Sequence, residues 1–319
     1  MPLPSSIQDA LARWAASAAP IAGLLKGGSD TNWTQARTMY LDTLAALFPA
    51  PPGVTFSRID LGGVRTTQVV PEHVEAGRTL FYIHGGRYAH GGPDGYHGLA
   101  GHYAQRLRAT VYLPDYRQAP EHRFPVPIDD TFQAYRGLLA KGVDPSSLAI
   151  SGDSAGGAMV ITIMRRARDA GLALPAGGVA ISPWANLTHG GASTRDRDGL
   201  DPLCSVEYLE LLTRNFLGDT LATDPDASPV FADVRGLPPT LVQIGENEVM
   251  LSDAIRLAGH LGENRVRTSL EVWPGMFHVW HLCAGQLPEA DQALHNAVTF
   301  LEEAFATVQE RAERRARAS

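Results

Sequence analysis

A serine flanked by glycines is the first feature of this sequence that could carry chemistry. Ser154 stands in the run Gly152-Asp153-Ser154-Ala155-Gly156, after a short apolar segment and at the start of a helical pattern. Glycines on both sides permit the sharp turn from strand to helix that lifts a serine hydroxyl clear of the backbone. The helix start also directs N–H groups and the positive end of its dipole at the serine. Alone the motif is weak, because an ordinary glycine-rich turn has the same sequence.

A nucleophilic serine needs a base that takes its proton and an acid that orients the base. Glu248 and His278 each follow a short apolar segment of strand type. Open α/β sheets place their sites at such carboxyl ends of strands. The chain order serine, acid, histidine therefore predicts that Ser154 is the nucleophile, His278 the general base and Glu248 the orienting acid.

Adjacent glycines after another apolar segment suggest an oxyanion hole. In His84-Gly85-Gly86 no side chain keeps the backbone away from the carbonyl oxygen of a substrate. We expect Gly85 and Gly86 to supply two N–H donors and Ala155 a third. His84 is expected to support this loop as a buried, hydrogen-bonded side chain and to take no part in catalysis.

The elements that must position these residues alternate along the chain. Short apolar or β-branched segments predict strands at Thr79–Ile83, Thr110–Leu113, Leu148–Ile150, Gly178–Ile181, Thr240–Ile244 and Ser269–Trp273. Helical patterns lie between or after them at Gly98–Arg108, Ile128–Leu139, Gly156–Ala170, Asp253–Leu261 and Asp291–Glu310. This alternation predicts an α/β fold with a mostly parallel, doubly wound sheet. An antiparallel hairpin, Thr55–Leu61 with Val64–Val70, is expected at its edge.

Two regions interrupt the alternation. Residues 1–50 look like amphipathic helices before a proline-rich break, and residues 51–319 form the catalytic domain. Within that domain, residues 185–236 form a long insertion, well placed for a lid at the carboxyl edge of the sheet. The residues that we expect to bind substrate are Trp33, Trp184, Leu203 and Phe216.

Composition excludes several other classes of protein. The formal net charge of −7 argues against nucleic acid as a partner. No apolar stretch reaches the length that crosses a bilayer, and the first twenty residues or so lack the pattern of a signal peptide. Cys204 and Cys283 are too few and too far apart for a disulfide framework. We therefore expect a cytoplasmic protein.

The chain resembles the hormone-sensitive-lipase-like family of α/β-hydrolase esterases. Four motifs carry the resemblance: His84-Gly85-Gly86, Asp115-Tyr116-Arg117 running into Ala119-Pro120-Glu121-His122, Gly152 to Gly157, and Phe277-His278. As a set they are highly specific and span nearly the whole catalytic core. The resemblance implies an α/β-hydrolase fold with the triad and oxyanion hole given above, and a cap built from the N-terminal helices of residues 1–50 and the insertion at 185–236. It also implies that the segment from Asp115 to Glu121 braces the loops around the site.

Two departures from the family pattern bear on the site. Arg87 replaces the third glycine that usually follows His-Gly-Gly, which places a long cation near the pocket mouth. It either pairs with a nearby carboxylate, which we favour, or binds substrate. The family often has aspartate where Glu248 falls, and this leaves Asp253 as a rival acid. A charge at a helix N-terminus accounts for Asp253 without a catalytic role.

We expect hydrolysis of short-chain carboxylic esters through an acyl-enzyme intermediate. Lactone hydrolysis and amide-directed activity, such as that of a formamidase or deacetylase, remain alternatives. A non-catalytic small-molecule receptor is a further alternative, but receptors among the plant relatives lose the histidine that His278 retains. We expect no metal or organic cofactor, since no carboxylate completes a helical metal pattern with His90, His97 or His102. A small-molecule ester is the expected partner, and a homodimer is possible.

Overall fold

The computed structural model describes residues 3–17 and 32–318 of the chain. Residues 18–31, which belong to the predicted N-terminal cap, lie outside the described residues. The strands in the described ranges are β1 Val54–Leu61, β2 Val64–Pro71, β3 Thr79–Ile83, β4 Thr110–Pro114, β5 Leu148–Asp153, β6 Gly177–Ile181, β7 Thr240–Gly245 and β8 Thr268–Trp273. They form one sheet in the order β1-β2-β4-β3-β5-β6-β7-β8. From β4 to β8 all neighbours are parallel, whereas β1, β2 and β4 pair antiparallel.

Helices connect most of the strands. Those in the described ranges are α1 Ser5–Ser17, α2 Trp33–Leu47, α3 His97–Leu107, α4 Val126–Ala140, α5 Ala155–Asp169, α6 Ala192–Asp196, α7 Val206–Leu217, α8 Leu251–Glu263 and α9 Pro288–Ala318. Short 3-10 helices cover Pro93–Tyr96, Pro145–Ser147, Pro229–Phe231 and Trp280–Cys283. The mostly parallel, doubly wound sheet predicted from the alternation is confirmed, as is the antiparallel hairpin at its edge. The last helix extends beyond the predicted Asp291–Glu310 at both ends.

The sheet is buried on both faces, and β3 shows why its sequence is apolar throughout. Phe81 and Ile83 belong to one buried apolar cluster, which includes side chains of α4 and α5. Leu80 and Tyr82 point the other way and belong to a second cluster, with side chains of α3 and α9. Alternate residues of a strand face opposite sides of a sheet. A strand covered by helices on both sides therefore needs apolar residues at every position.

The carboxyl ends of four strands converge on one edge of the sheet. Gly85 follows β3, Ser154 follows β5, Glu248 follows β7 and His278 follows β8. The strands β3, β5, β6, β7 and β8 are consecutive neighbours in the sheet and run parallel. Loops far apart in sequence are thus brought together, as the topology of an open parallel sheet requires.

The segments predicted to form a cap are helical where the structure describes them. The first contributes α1 and α2, and the insertion at 185–236 contributes α6 and α7. Helix α7 buries Leu209, Leu212 and Phe216 in the cluster that also contains Ala155 and Trp184. The insertion thus packs onto the same apolar cluster as the start of α5. Among the helices that the structure describes, none is both long enough and apolar enough to span a membrane.

Candidate active site

Ser154 occupies a strained turn between β5 and α5. Its φ is +54°, a left-handed backbone conformation that is rare for a residue with a side chain. Its backbone N–H donates to the carbonyl oxygen of Ile181 on the neighbouring strand, at 2.9 Å. A Cβ at Gly156 would lie 2.0 Å from the carbonyl oxygen of Ile83, so only glycine fits there. The glycines of the motif are therefore required by close contacts with neighbouring strands, and they hold the serine in this turn.

A chain of short hydrogen bonds joins the three residues predicted as a triad. Ser154 Oγ lies 2.9 Å from His278 Nε2, and His278 Nδ1 lies 2.7 Å from Glu248 Oε2. The other carboxylate oxygen, Glu248 Oε1, accepts hydrogen bonds from Ser182 Oγ and from the Gly245 amide, each at 2.7 Å. The Glu248 carboxylate is therefore held on both oxygens, and its orientation toward the imidazole is fixed.

The electrostatic environment of His278 favours the protonated imidazole. Burial lowers its pKa, but the adjoining sulfur of Cys204 and the carboxylate of Glu248 raise that pKa more, and it lies well above 6.5. The backbone N–H of His278 donates to Asp201 Oδ2 at 2.9 Å, which fixes the loop that carries the ring. An imidazole stabilised as a cation is suited to receiving the proton of a serine hydroxyl.

The rival acid, Asp253, does not contact His278. It lies in the first turn of α8, is buried, and has Asn186 as a polar neighbour. Burial raises the pKa of Asp253 to about 8, and the opposing effects of Arg256 and Asn186 are smaller. The carboxyl group is thus mostly neutral at neutral pH. Our explanation of Asp253 as a helix-end charge is therefore wrong, because burial disfavours the charged form.

The oxyanion loop differs from the prediction at Gly85. The single N–H of Gly85 donates to Asp153 Oδ1 at 3.0 Å and to the Tyr96 hydroxyl at 3.1 Å. Gly85 as a substrate donor is therefore a wrong prediction for this structure, since its amide is already committed within the protein. Gly86 has a φ of +115°, and a Cβ there would lie 1.7 Å from the carbonyl oxygen of His90. Among the described hydrogen bonds, none uses the amide of Gly86 or of Ala155.

His84 and the segment that begins at Asp115 support this loop. The His84 ring is fully buried and stacks on Tyr116, with ring centroids 4.2 Å apart. The Tyr116 hydroxyl donates to the carbonyl oxygen of His84 at 2.9 Å. Arg117 forms two hydrogen bonds of 2.8 Å to the Asp130 carboxylate, and Glu121 pairs with Arg37 of α2. The segment thus ties the oxyanion loop to α4 and to the N-terminal helices.

Arg87 does not pair with a carboxylate in the part of the chain that the structure describes, so the pairing we favoured is wrong. Its Nη2 donates to the carbonyl oxygen of Leu203 at 2.6 Å and contacts Cys204 Sγ at 3.1 Å. Its guanidinium carbon lies 5.1 Å from the centre of the Tyr208 ring. These three neighbours belong to the insertion at 185–236, so Arg87 connects the oxyanion loop to the predicted cap.

The four residues expected to bind substrate lie in or against one apolar cluster. Trp184 is fully buried, and its backbone N–H donates to the carbonyl oxygen of Ser154 at 3.0 Å. Phe216 stacks on Tyr88 at 3.8 Å and is also fully buried. Leu203 and Trp33 are partly buried and pack against the same cluster. Trp184 thus contacts Ser154 through its backbone, whereas Phe216 has the environment of a core residue.

Several residues of the site carried no usable signal in the sequence. Asp153 stands inside the glycine motif and can be found by its position. Its hydrogen bond with the Gly85 amide, however, could be identified only from the folded structure. Ser182, Asp201 and Cys204 are ordinary residues in loops whose placement depends on the insertion. A carboxylate oxygen of Asp201, Cys204 Sγ and a ring nitrogen of His278 lie within 4.8 Å of one another, and these atoms could ligate a metal ion. The nitrogens of His278 already contact Ser154 and Glu248.

Comparison with known proteins identifies the family of the chain. Residues 80–282 match the sequence pattern of a family described as having the alpha/beta hydrolase fold. An acetyl-hydrolase of Streptomyces hygroscopicus is 40% identical over 225 residues, which cover 70% of this chain and 75% of that protein. An esterase of Acinetobacter venetianus is 34% identical over 261 residues, which cover 82% of this chain and 86% of that protein.

A solved structure gives the same result in three dimensions. The crystal structure of an esterase from the bacterial hormone-sensitive lipase family superposes with a TM-score of 0.88 at 33% identity. It covers 96% of this chain and 100% of the esterase. This chain belongs to the bacterial hormone-sensitive lipase family of α/β-hydrolases. The resemblance carried by the four motifs is thereby confirmed for the family and the fold.

Proposed function

We propose that this protein hydrolyses short-chain carboxylic esters, with Ser154 as nucleophile, His278 as general base and Glu248 as orienting acid. Membership of an esterase family makes the chain a serine carboxylic-ester hydrolase. The observation that carries the residue roles is the unbroken path from Ser154 Oγ through His278 to Glu248, with contacts of 2.9 and 2.7 Å.

In the proposed reaction, His278 Nε2 takes the hydroxyl proton as Ser154 Oγ attacks the ester carbonyl carbon. Glu248 stabilises the imidazolium that forms and keeps Nδ1 protonated. The imidazolium then donates its proton to the leaving alcohol, and the acyl group stays on Ser154. Water, deprotonated by His278, attacks the acyl carbon of the acyl-enzyme. The bond from that carbon to Ser154 Oγ then breaks, His278 returns the proton to Ser154 Oγ, and the acid is released.

The amides of Gly86 and Ala155 are the proposed donors to the oxyanion. Ala155 begins α5, so its N–H has no partner within the helix and lies at the positive end of the helix dipole. Gly86 follows directly on the anchored Gly85 and, as a glycine, lets its backbone approach the substrate. An oxyanion donor placed beforehand commonly contributes about a hundredfold or more to kcat.

A short acyl chain is proposed because the nucleophile is enclosed. Ser154 is only 2% exposed, and buried Trp184 and Cys204 lie beside the triad. A closed pocket of this kind favours compact substrates over long chains that lie along an open groove. N-terminal helices and the insertion at 185–236 are the proposed cap. Lactones and small amides also present a carbonyl carbon to the nucleophile and remain the alternative substrates. A non-catalytic small-molecule receptor is disfavoured, because the chain retains His278.

The test combines labelling with a substrate series. A serine-directed sulfonyl fluoride should add to Ser154 alone, as located by mass spectrometry of the digested protein. Ser154→Ala should lose both labelling and hydrolysis, and Ser151→Ala, which changes a buried serine on β5 three residues earlier, is the matched control. Esters with acyl chains of two to six carbons or so should be turned over fastest. An adduct on another residue, or a preference for chains above twelve carbons or so, would contradict the proposal.

The homodimer and the cytoplasmic location are also proposals. Strand β8 lies at the edge of the sheet and leaves Leu270 and Val272 38% and 43% exposed, so a second copy could pair there. Light scattering of the purified protein and of Val272→Lys would test this pairing. Cys204 and Cys283 are both free thiols, which is compatible with a reducing compartment.

A further inference from the structure

Arg87 places a buried cation beside the reacting groups. The residue is only 5% exposed. Its Nη2 contacts a carbonyl oxygen and a sulfur, and its guanidinium lies over the Tyr208 ring. Its Nε is buried and has no hydrogen-bond partner. The guanidinium therefore retains donor capacity that its described neighbours do not use.

Burying a cation without an anion costs free energy, so such an arrangement calls for an explanation. The other titratable groups that face Arg87 are Tyr40 and His90. Burial lowers the pKa of Arg87, but Cys204, Tyr208 and Tyr40 raise that pKa more, so the side chain stays charged. The positive charge is thus maintained in a site where the described residues offer dipoles, a thiol and aromatic rings.

The position of this charge relates it to the reaction. Arg87 directly follows Gly86, whose amide is a proposed oxyanion donor. The Cys204 sulfur that Arg87 contacts lies within 4.8 Å of a ring nitrogen of His278. One side chain therefore separates the guanidinium from the base. The charge therefore lies one residue from a proposed oxyanion donor and one side chain from the base.

We propose that Arg87 makes the enzyme selective for esters that carry a carboxylate, in the acyl or the alcohol portion, and that this carboxylate binds the guanidinium. A guanidinium binds a carboxylate through charge-assisted hydrogen bonds, and the buried Nε–H, which has no partner among the described residues, is the donor that we assign to this carboxylate. The inference rests on the proposed ester hydrolysis at Ser154, and it names the substrate class for that site.

The first experiment uses the unmodified enzyme and pairs of esters that differ only in charge. In the acyl pair, para-nitrophenyl hydrogen adipate is compared with its methyl ester. In the alcohol pair, the butyrate ester of para-hydroxybenzoate is compared with the same ester of methyl para-hydroxybenzoate. The charged member of at least one pair should have the higher kcat/KM, by roughly tenfold to a hundredfold, as expected for a hydrogen-bonded ion pair. The pair that shows the preference tells whether the carboxylate that binds Arg87 belongs to the acyl or to the alcohol portion of the substrate.

The second experiment uses variants of the cation. Arg87→Gln should abolish the preference for the charged ester, so that kcat/KM falls at least tenfold more for the charged member of the pair than for the neutral member. Arg87→Lys should restore part of the preference, because it keeps the charge but not the Nε–H donor. Arg235→Gln removes an exposed arginine elsewhere and is the matched control, with the preference unchanged. High salt should leave the preference in place, since a buried pair is screened little.

The outcomes separate this inference from the function on which it rests. Turnover of neutral esters with no preference for either charged ester would overturn the carboxylate proposal and leave ester hydrolysis standing. A preference that survives in Arg87→Gln would also overturn it. Equal losses on both members of a pair in Arg87→Gln would mean that Arg87 only braces the insertion through Leu203 and Cys204. Failure of the parent enzyme to hydrolyse any ester would instead contradict the proposed function.

Discussion

Asp153 Oδ1 accepts the amide N–H of Gly85 at 3.0 Å, so the residue before the proposed nucleophile holds the loop of the proposed oxyanion hole. The same carboxyl group accepts hydrogen bonds of 2.8 Å from the hydroxyls of Tyr82 and Tyr96. The loops that follow β3 and β5 are therefore joined by hydrogen bonds to one buried carboxyl group. These bonds fix the distance between the Ser154 hydroxyl and the amide of Gly86, the residue after Gly85.

Asp153→Ala should lower kcat with little change in KM, because it frees the Gly85 loop without touching the pocket. We expect a loss of roughly tenfold to a hundredfold, less than the full loss of an oxyanion donor. Asp153→Asn keeps an oxygen acceptor for the Gly85 amide and should stay close to the parent. Steady-state kinetics on a neutral ester measures both values. A rise in KM as large as the fall in kcat would contradict the positioning role. So would a low kcat in Asp153→Asn together with a normal kcat in Asp153→Ala.

The pH dependence of the reaction should reflect the raised pKa of His278. The base acts only when unprotonated, so kcat/KM should rise with pH, and its rising limb should lie above pH 6.5. Cys204→Ser should move this limb to lower pH, because burial lowers the pKa of His278 and the sulfur is the first of the contacts that raise it. Cys283→Ser is the matched control, a buried cysteine in another part of the core. Profiles that coincide in all three proteins would contradict this electrostatic assignment.

The sequence predicted the fold well, and the three residues that it predicted as a triad lie in hydrogen-bond contact, because local pattern marks the strands and the strand ends. The apolar segments that became β3 and β5 are buried on both faces, which is what their composition requires. Ser154 and His278 could be found because strand ends and glycine spacing mark them. The partners of a side chain depend instead on how the insertion folds back. No pattern around Arg87 indicated that its neighbours would be Leu203 and Cys204.

Gly85 shows a second limit of sequence reasoning. Both glycines of the loop can approach a substrate, and composition does not reveal which amide is already used. The Asp153 carboxyl group accepts the hydrogen bond of the Gly85 amide, and Asp153 directly precedes Ser154 in the sequence. This hydrogen bond forms only because β3 and β5 are neighbours in the sheet. Assigning donors therefore required hydrogen-bond partners and could not be done from residue type.

Asp253 should make the folded state less stable as pH rises. Burial raises its pKa from the usual 3.8 to about 8, so the folded protein binds a proton that the unfolded chain releases. Stability from this group is present below pH 3.8 and is lost as pH rises toward 8, at up to about 1.4 kcal/mol per pH unit. Asp253→Asn should remove this slope and raise the free energy of unfolding at pH 8 relative to the parent. Urea denaturation at several pH values measures the free energy of unfolding of both proteins. An Asn variant that is less stable than the parent at pH 8 would contradict the raised pKa of Asp253.

The identity of the triad acid gives the sharpest test of the site. Glu248→Gln keeps the side-chain shape and the hydrogen bonds that Ser182 and Gly245 donate to its oxygen. Its amide nitrogen would then face His278 Nδ1 as a donor. The imidazole would be left with its proton on Nε2, the atom that must accept the proton of Ser154. We expect kcat to fall by about a hundredfold to ten-thousandfold, with KM nearly unchanged.

Asp253→Asn is the matched control for that loss, since it neutralises the rival acid and leaves the path from Ser154 to Glu248 intact. Its turnover should stay within a few-fold of the parent, because Asp253 is mostly neutral at neutral pH and does not contact His278. Pre-steady-state measurement of the acylation rate separates the chemical step from product release. Should Asp253→Asn abolish acylation while Glu248→Gln acylates normally, the acid role would belong to Asp253. The 2.7 Å contact between His278 and Glu248 would then have to be a hydrogen bond without catalytic consequence.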